Sequence, residues 1–387
     1  MKILLLVILL LLELSAGDYI KSNTCKACHP TIYSEFYNSS HRKSSIYEDP
    51  IHKAIWDLHP NKKDEKYTCA KCHTPSDLEL LNNLKENKKA LPIKNEVQTQ
   101  EAISCVYCHS IKNIEEHTKV NNNILTNQKK VYYSANEENK KLKDKKFENE
   151  TSMFGMMKKK SGSPFHHIDY SNEDYYTGKM CMGCHNKLQN DNNFNLCEVN
   201  MKAVDRNEEK NCISCHMPKV EGSATSIKIT KTHRFHGFSS STNNQDLLAK
   251  YIKIDFKQNL STFEISIKNE ASHNLFLQPL RVALLKVSIL KDNKIIKKEQ
   301  RDFVRIIGKD GKATMPWLAN SEVKNTMIKA NEKRVLTFDY RLDKTNTVEV
   351  VFGYYKVNPK MLKKLKLENH KDSSEFNVLK SEFYKGL

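Results

Sequence analysis

The chain has 387 residues, with 63 Lys and Arg against 46 Asp and Glu and a formal net charge of +17. In a cytosolic protein that balance raises nucleic acid as a partner, but the first residues read as an export signal, which argues against that partner class. About 370 residues remain once the leader is removed, enough for two domains of ordinary size.

In chain order, the opening "MKILLLVILLLLELSAGD" has one lysine, an apolar run from Ile3 to Leu12, and a small residue, Ala16, at a cleavage position. These features predict a signal peptide over 1–16 and a periplasmic mature chain. The run is shorter than the roughly 20 apolar residues a spanning helix needs. An uncleaved anchor, with peripheral membrane association, is the competing reading.

From residue 17 onward, Cys-x-x-Cys-His recurs five times, as "CKACH" at 25–29, "CAKCH" at 69–73, "CVYCH" at 105–109, "CMGCH" at 181–185 and "CISCH" at 212–216. This is the attachment signature of c-type haem. Two thiols three residues apart reach the two vinyl groups of one porphyrin, and the following histidine binds its iron as proximal ligand. The covalent attachments are therefore expected at Cys25, Cys28, Cys69, Cys72, Cys105, Cys108, Cys181, Cys184, Cys212 and Cys215, and the proximal ligands at His29, His73, His109, His185 and His216. Paired CxxC units also build zinc sites, but zinc has no need of the fifth residue. Histidine makes up 15 of 387 residues, so its chance occurrence after all five pairs is roughly one in ten million. The reading is five covalently bound haem c groups, whose propionates and ferric cores together bring the formal charge to about +12.

Between the motifs, "TIYSEFYNSSH" and "LELLNNLKEN" predict short helices, and the remainder reads as turns and loops. Residues from about 112 to 162 hold "NQKK", "KKLKDKK" and "MKKKSG" and read as a solvated lysine-rich insertion. So few apolar positions bury little surface unaided, so the macrocycles are expected to form the core and the apo-protein to be largely unfolded here. After a boundary near 245 the cysteines are gone. Strand alternation appears in "FEISIKNEASHNLFLQPLRVALLKVSIL", "RVLTFDYRL" and "VEVVFGYYKV".

Each iron has a second axial position, and ten histidines lie outside the motifs: His41, His52, His59, His117, His166, His167, His233, His236, His273 and His370. Any one of them alone is more often a surface or packing residue than a ligand. Cys197, in "NFNLCEVNM", is left over by the motifs. It is open to a thiolate-ligand, buried-thiol or intermolecular reading.

The stretch "CKACHPTIYSEFYNSSH" resembles the first haem of the multihaem c-type cytochromes that include hydroxylamine oxidoreductase and its tetrahaem electron acceptor. The resemblance implies that His41 is a distal ligand. "EAISCVYCHSI" is similar to the family's third motif, and "SPFHHIDYSNEDYYTGKMCMGCHN" to a segment in which a histidine precedes CxxCH, implying His166 or His167. "CISCHMP" followed by "THRFHG" resembles the last haem and its downstream histidine, which implies His233, with His236 in reserve. The strands after 245 resemble a C-terminal sandwich found in some members, from which a turn reaches back to a haem, implying His273 as a further ligand. The expected fold is thus mixed. A haem-packed cytochrome domain of short helices and loops, 17–245, precedes an immunoglobulin-like β-sandwich, 246–360, and a tail, 361–387.

Two functions follow. As an electron carrier the chain would work through mostly bis-histidine haems between a quinol-linked donor and a terminal acceptor. As an oxidoreductase it would hold one haem with an open distal face for a small nitrogen or sulfur compound. No CxxCK, the lysine-ligand signature of pentahaem nitrite reductases, is present. That enzyme type is therefore disfavoured.

Overall fold

The computed structural model describes residues 19–136, 140, 143, 148–151, 158–161, 163, 165–199, 210–238 and 248–387. The signal peptide expected over 1–16, much of the lysine-rich insertion and the boundary near 245 lie outside these residues. Among the described residues no helix is long and apolar enough to cross a membrane.

In the cysteine-rich part, each motif is built around a single helical turn: Ser22–Lys26, Ala70–His73, Cys105–His109, Met182–His185 and Cys212–His216. One turn brings residues three apart onto one side, as two attachment thiols require. Polar side chains cap two of the turns. Ser104 Oγ accepts from the Tyr107 amide at 3.1 Å, and Asn211 Oδ1 from the Ser214 amide at 2.9 Å.

Helices Pro30–Tyr37 and Leu78–Lys85 occur where the sequence pattern placed them. The helix Pro50–Leu58 has Asp49 as N-cap, accepting from the amides of Ile51 and His52. Short two-stranded pairings join the turns, including Ile111–Glu115 with Asn122–Leu125 and the parallel pair Val131–Tyr133 with His167–Asp169. Apolar clusters here are small; one is built on Ile46, Trp56, Tyr67, Ala70, Leu80 and Ala90.

The cysteine-free part is two antiparallel sheets facing one core. Strands Ile252–Gln258, Phe263–Asn269 and Lys333–Phe338 form the smaller sheet. The larger runs Lys312–Ala313, Lys294–Lys309, Val282–Lys291, Asn346–Tyr355 and Phe376–Lys385, with Ser321–Asn325 also on Lys294–Lys309. Alternate residues point inward, as a two-residue period requires: Phe263, Ile265 and Ile267 from one sheet meet Leu285, Val287, Val348, Val350 and Phe352 from the other. Asp292 and Asn293 both have positive φ, 50° and 60°, the conformation a two-residue hairpin needs.

Residues 361–387 depart from the expected tail. The helices Pro359–Leu365 and Lys371–Ser374 lead into the strand Phe376–Lys385, which covers one side of Asn346–Tyr355. The alternation in "FNVLKSEFYK" is half polar on both faces, as suits a strand at a sheet edge.

The two parts meet along a seam. Ile51, Ala54 and Ile55 of the helix Pro50–Leu58 pack on Leu280, Val357, Leu365 and Leu367. Asn190 Nδ2 donates to the carbonyls of Pro316 and Ala319 at 2.8 and 2.6 Å.

Asn269 is fully buried; its Nδ2 faces the carbonyls of His273 (2.9 Å), Ile328 (3.3 Å) and Lys329 (2.9 Å), and its Oδ1 accepts from Ala271 at 2.9 Å. The Ile328 and Lys329 carbonyls also accept from the amides of Leu275 and Glu332, so Asn269→Ala leaves the His273 carbonyl without its donor and the Ala271 amide without its acceptor, and is expected to destabilise this part by about 1–3 kcal/mol, measured by denaturant unfolding of the holoprotein.

Candidate haem-binding centres

Haem c fits this chain only if each motif histidine can share an iron or leave a face open to one. An imidazole nitrogen lies about 2 Å from a bound metal and about 1 Å from its own ring centre, so two rings flanking one iron have centres about 6 Å apart. Four motif histidines have another histidine at that spacing. His29 and His166 are 6.4 Å apart, His109 and His236 6.3 Å, His216 and His273 6.2 Å, and His185 and His41 5.9 Å. The fifth differs: His73 and His52 lie 3.8 Å apart and stacked at 12°, in direct ring contact.

Hydrogen bonds at the other ring nitrogen bear on which atom is left to bind. A backbone carbonyl only accepts, so an Nδ1 facing one carries the proton and leaves Nε2 with its lone pair. His29 Nδ1 faces the Ala224 carbonyl at 2.8 Å, His109 that of Tyr133 at 2.7 Å and His73 that of Ser44 at 3.2 Å. Among the partners, His236 Nδ1 faces the Arg234 carbonyl at 2.6 Å and His273 that of Asn274 at 2.9 Å; His166 is more loosely placed, 3.4 Å from the His167 carbonyl. His52 breaks the pattern, since its Nε2 is 2.7 Å from the hydroxyl of the fully buried Tyr67.

Burial favours the neutral form, the one that binds metal, at His41, His109, His166, His185 and His236. It lowers the pKa of His41 to about 3, with His185, His216 and His73 nearby adding to the effect. Burial likewise takes His236 to about 3 and His185 to about 4.

The sequence left His166 and His167 undecided; His166 is the one opposite His29. His167 lies on the strand His167–Asp169, paired in register with Val131. His236 faces His109, whereas His233, expected as the ligand, is held by Glu35 and the Gly222 carbonyl. The reason is the register of a hairpin: Thr232–Arg234 pairs with Lys219–Glu221 and turns His233 inward onto Glu35.

His59 stacks on Trp56 and meets Trp317, His117 pairs with Glu115, and His370 bonds Ser373. Cys197 lies on the strand Asn195–Glu198 opposite Leu188. Among the described residues no group of three or more His, Cys, Asp or Glu converges as a metal site of the thiolate-cluster kind.

The attachment cysteines, each half-buried, meet across motifs. The side chains of Cys25 and Cys105 lie close together, as do those of Cys72 and Cys184, and of Cys181 and Cys212. Residues with no motif to announce them support these turns. Tyr175 stacks on His109, its hydroxyl donating to the carbonyls of Cys108 and Ile111 at 2.7 and 3.1 Å. Asn123 Nδ2 donates to the Tyr107 hydroxyl and approaches Cys184 Sγ.

Residues 24–110 match the family model described as cytochrome c554 and c-prime. No curated relative matches the sequence. Among solved structures, a penta-heme cytochrome c552 from Thermochromatium tepidum superposes with a TM-score of 0.71 at 16% identity, over 95% of this chain and 99% of that one. The chain thus has the fold of that cytochrome, and fold, family model and attachment motifs together support a multihaem c-type cytochrome with covalently bound haem c.

Proposed function

We propose that the chain is a periplasmic pentahaem cytochrome whose activity is electron transfer between redox proteins, a quinol-linked donor and a terminal acceptor. The observation that carries this reading is the repeated pairing of a motif histidine with a second histidine about 6 Å away, a spacing suited to a six-coordinate iron. The assignments are His29 with His166, His109 with His236, His185 with His41 and His216 with His273. Haem c, when bound, supplies reversible one-electron chemistry. What the chain contributes is a pair of imidazoles held at that spacing and oriented by backbone carbonyls where these reach Nδ1.

The reading also takes the two-sheet part as an immunoglobulin-like sandwich that supplies one ligand, His273. It keeps the kinship with hydroxylamine oxidoreductase and its acceptor. The leader supports export, and a basic surface suits acidic partners.

A second reading is favoured by one observation. His52 stacks directly on His73, and Tyr67 holds its Nε2, the atom a ligand would use. An iron bound at His73 would then keep an open face, where a small nitrogen or sulfur compound could be oxidised or reduced.

A haemochrome assay is expected to return about five haems per chain; a ratio near zero, or zinc in their place, ends the proposal. Electron paramagnetic resonance of the oxidised protein separates the two readings. Low-spin signals alone fit the carrier, while a high-spin signal that shifts with nitrite, hydroxylamine or tetrathionate fits the enzyme. His166→Ala is expected to convert about one haem per chain from low to high spin, and His167→Ala none. The reverse result would move the ligand to His167.

A further inference from the structure

Glu35 has no place in the attachment motifs, yet its carboxylate joins two parts of the molecule far apart in sequence. It sits on the helix Pro30–Tyr37, which begins directly after the first motif's histidine, His29. One carboxylate oxygen, Oε1, lies 2.8 Å from His233 Nε2; the other, Oε2, accepts the backbone N–H of His236 at 2.8 Å. His233 is 5% exposed and cannot swing away, because its Nδ1 faces the Gly222 carbonyl at 3.0 Å. Gly222 has φ +115°, a conformation that favours glycine, and a Cβ there would press on the His233 ring at 3.3 Å.

The rest of the hairpin is bound to the same motif. His29 Nδ1 faces the Ala224 carbonyl, and the Ser226 amide donates to the Cys28 carbonyl at 2.8 Å. The segment from 219 to 236 therefore grips the first motif through its loop and presents His236 to His109, the histidine of the third motif, at its end. Cys25 and Cys105, of the same two motifs, also lie close together.

We propose that Glu35 and His233 are a positioning pair that fixes His236 opposite His109, so that distal ligation at the third motif is set by the helix of the first. This rests on the reading of His236 as a ligand. His236 binds through its own Nε2. Glu35 fixes its backbone, and His233 fixes Glu35. A carboxylate held by two donors is the kind of outer support that orients a metal ligand, and it explains why the histidine of "THR" in this stretch is buried without facing any motif histidine at ligand spacing.

The test uses holoprotein with its full haem complement, checked by haemochrome assay, and reads carbon monoxide bound per chain after reduction together with the high-spin ferric signal. His236→Ala is expected to add about one equivalent of carbon monoxide over the unmodified protein. Glu35→Ala and His233→Leu are each expected to add a measurable part of that equivalent. Glu35→Gln, whose amide oxygen still accepts from the His236 amide, is expected to restore most of the low-spin signal. In the double variant Glu35→Ala/His236→Ala, binding does not exceed that of His236→Ala. If His236→Ala adds the equivalent while neither Glu35→Ala nor His233→Leu changes either readout, the positioning role is overturned and the ligand assignment stands. If His236→Ala changes nothing, the ligand assignment fails and this proposal with it. His233→Leu keeps a buried side chain of similar bulk, and so decides the matter if Glu35→Ala does not accumulate.

Discussion

An imidazole whose Nδ1 donates to a backbone carbonyl has its Nε2 lone pair left free, and a protein that buries such a ring must give that nitrogen something to bind. That constraint organises the cysteine-rich part. The carbonyls of Ala224 and Tyr133 face the motif histidines His29 and His109, while those of Arg234 and Asn274 face His236 and His273 across the gap. None of these carbonyls lies within its own motif. Segments outside the motifs, most of them after the fifth, are thus as necessary to ligand geometry as the motifs themselves, and chain that reads as irregular is fixed by its hydrogen bonds.

Packing follows from the same source. The largest apolar cluster in the two-sheet part joins sixteen buried residues, whereas the clusters near the second and third motifs join six each. Clusters of that size offset little of the entropy of ordering so many loops. A covalently attached macrocycle adds apolar area and cross-links two cysteines, so it suits a chain with this deficit. The two-sheet part has its own core and can hold His273 towards His216 from a firm base, with Asn269 tying the His273 carbonyl to the neighbouring loop.

Much of this was legible in the sequence. Cys-x-x-Cys-His fixes residue types at a spacing one helical turn satisfies, and the structure forms that turn at each motif. His41, His273 and the pair His166/His167 stood out by their surroundings in the sequence, and the structure sets one histidine of each against a motif histidine. The choice between His233 and His236 was not legible, because it depends on the register of a three-residue hairpin and on a glutamate some 200 positions earlier, neither of which leaves a local pattern. Other elements were hidden by composition. Lys294–Lys309 opens with "KIIKKEQR" and reads as a charged run, and Phe376–Lys385 is half polar on both faces because it lies at a sheet edge. His52 had no signal at all: what sets it apart is Tyr67, fifteen residues on, whose hydroxyl occupies the nitrogen the other partners leave free.

The contacts among attachment cysteines give the motifs an order in space that differs from their order in sequence. The first motif touches the third through Cys25 and Cys105. The fourth approaches two others, because Cys181 and Cys184, three residues apart on a tight turn, lie near different neighbours, Cys212 of the fifth motif and Cys72 of the second. Tyr175 and Met180 close the remaining gap, packing with Cys108 of the third motif and Cys181 of the fourth in one cluster. The histidines sort in the same way: His41 lies near His185, His216 and His73, while His236 lies near His109 and His29. The fourth motif is therefore the hub, with the third and first on one side and the second and fifth on the other. The short turn "CMGCH" owes this role to a small residue: a Cβ on Gly183 would overlap the Asn123 side chain, so glycine lets Asn123 bridge Tyr107 and Cys184 at the point where the third and fourth motifs meet.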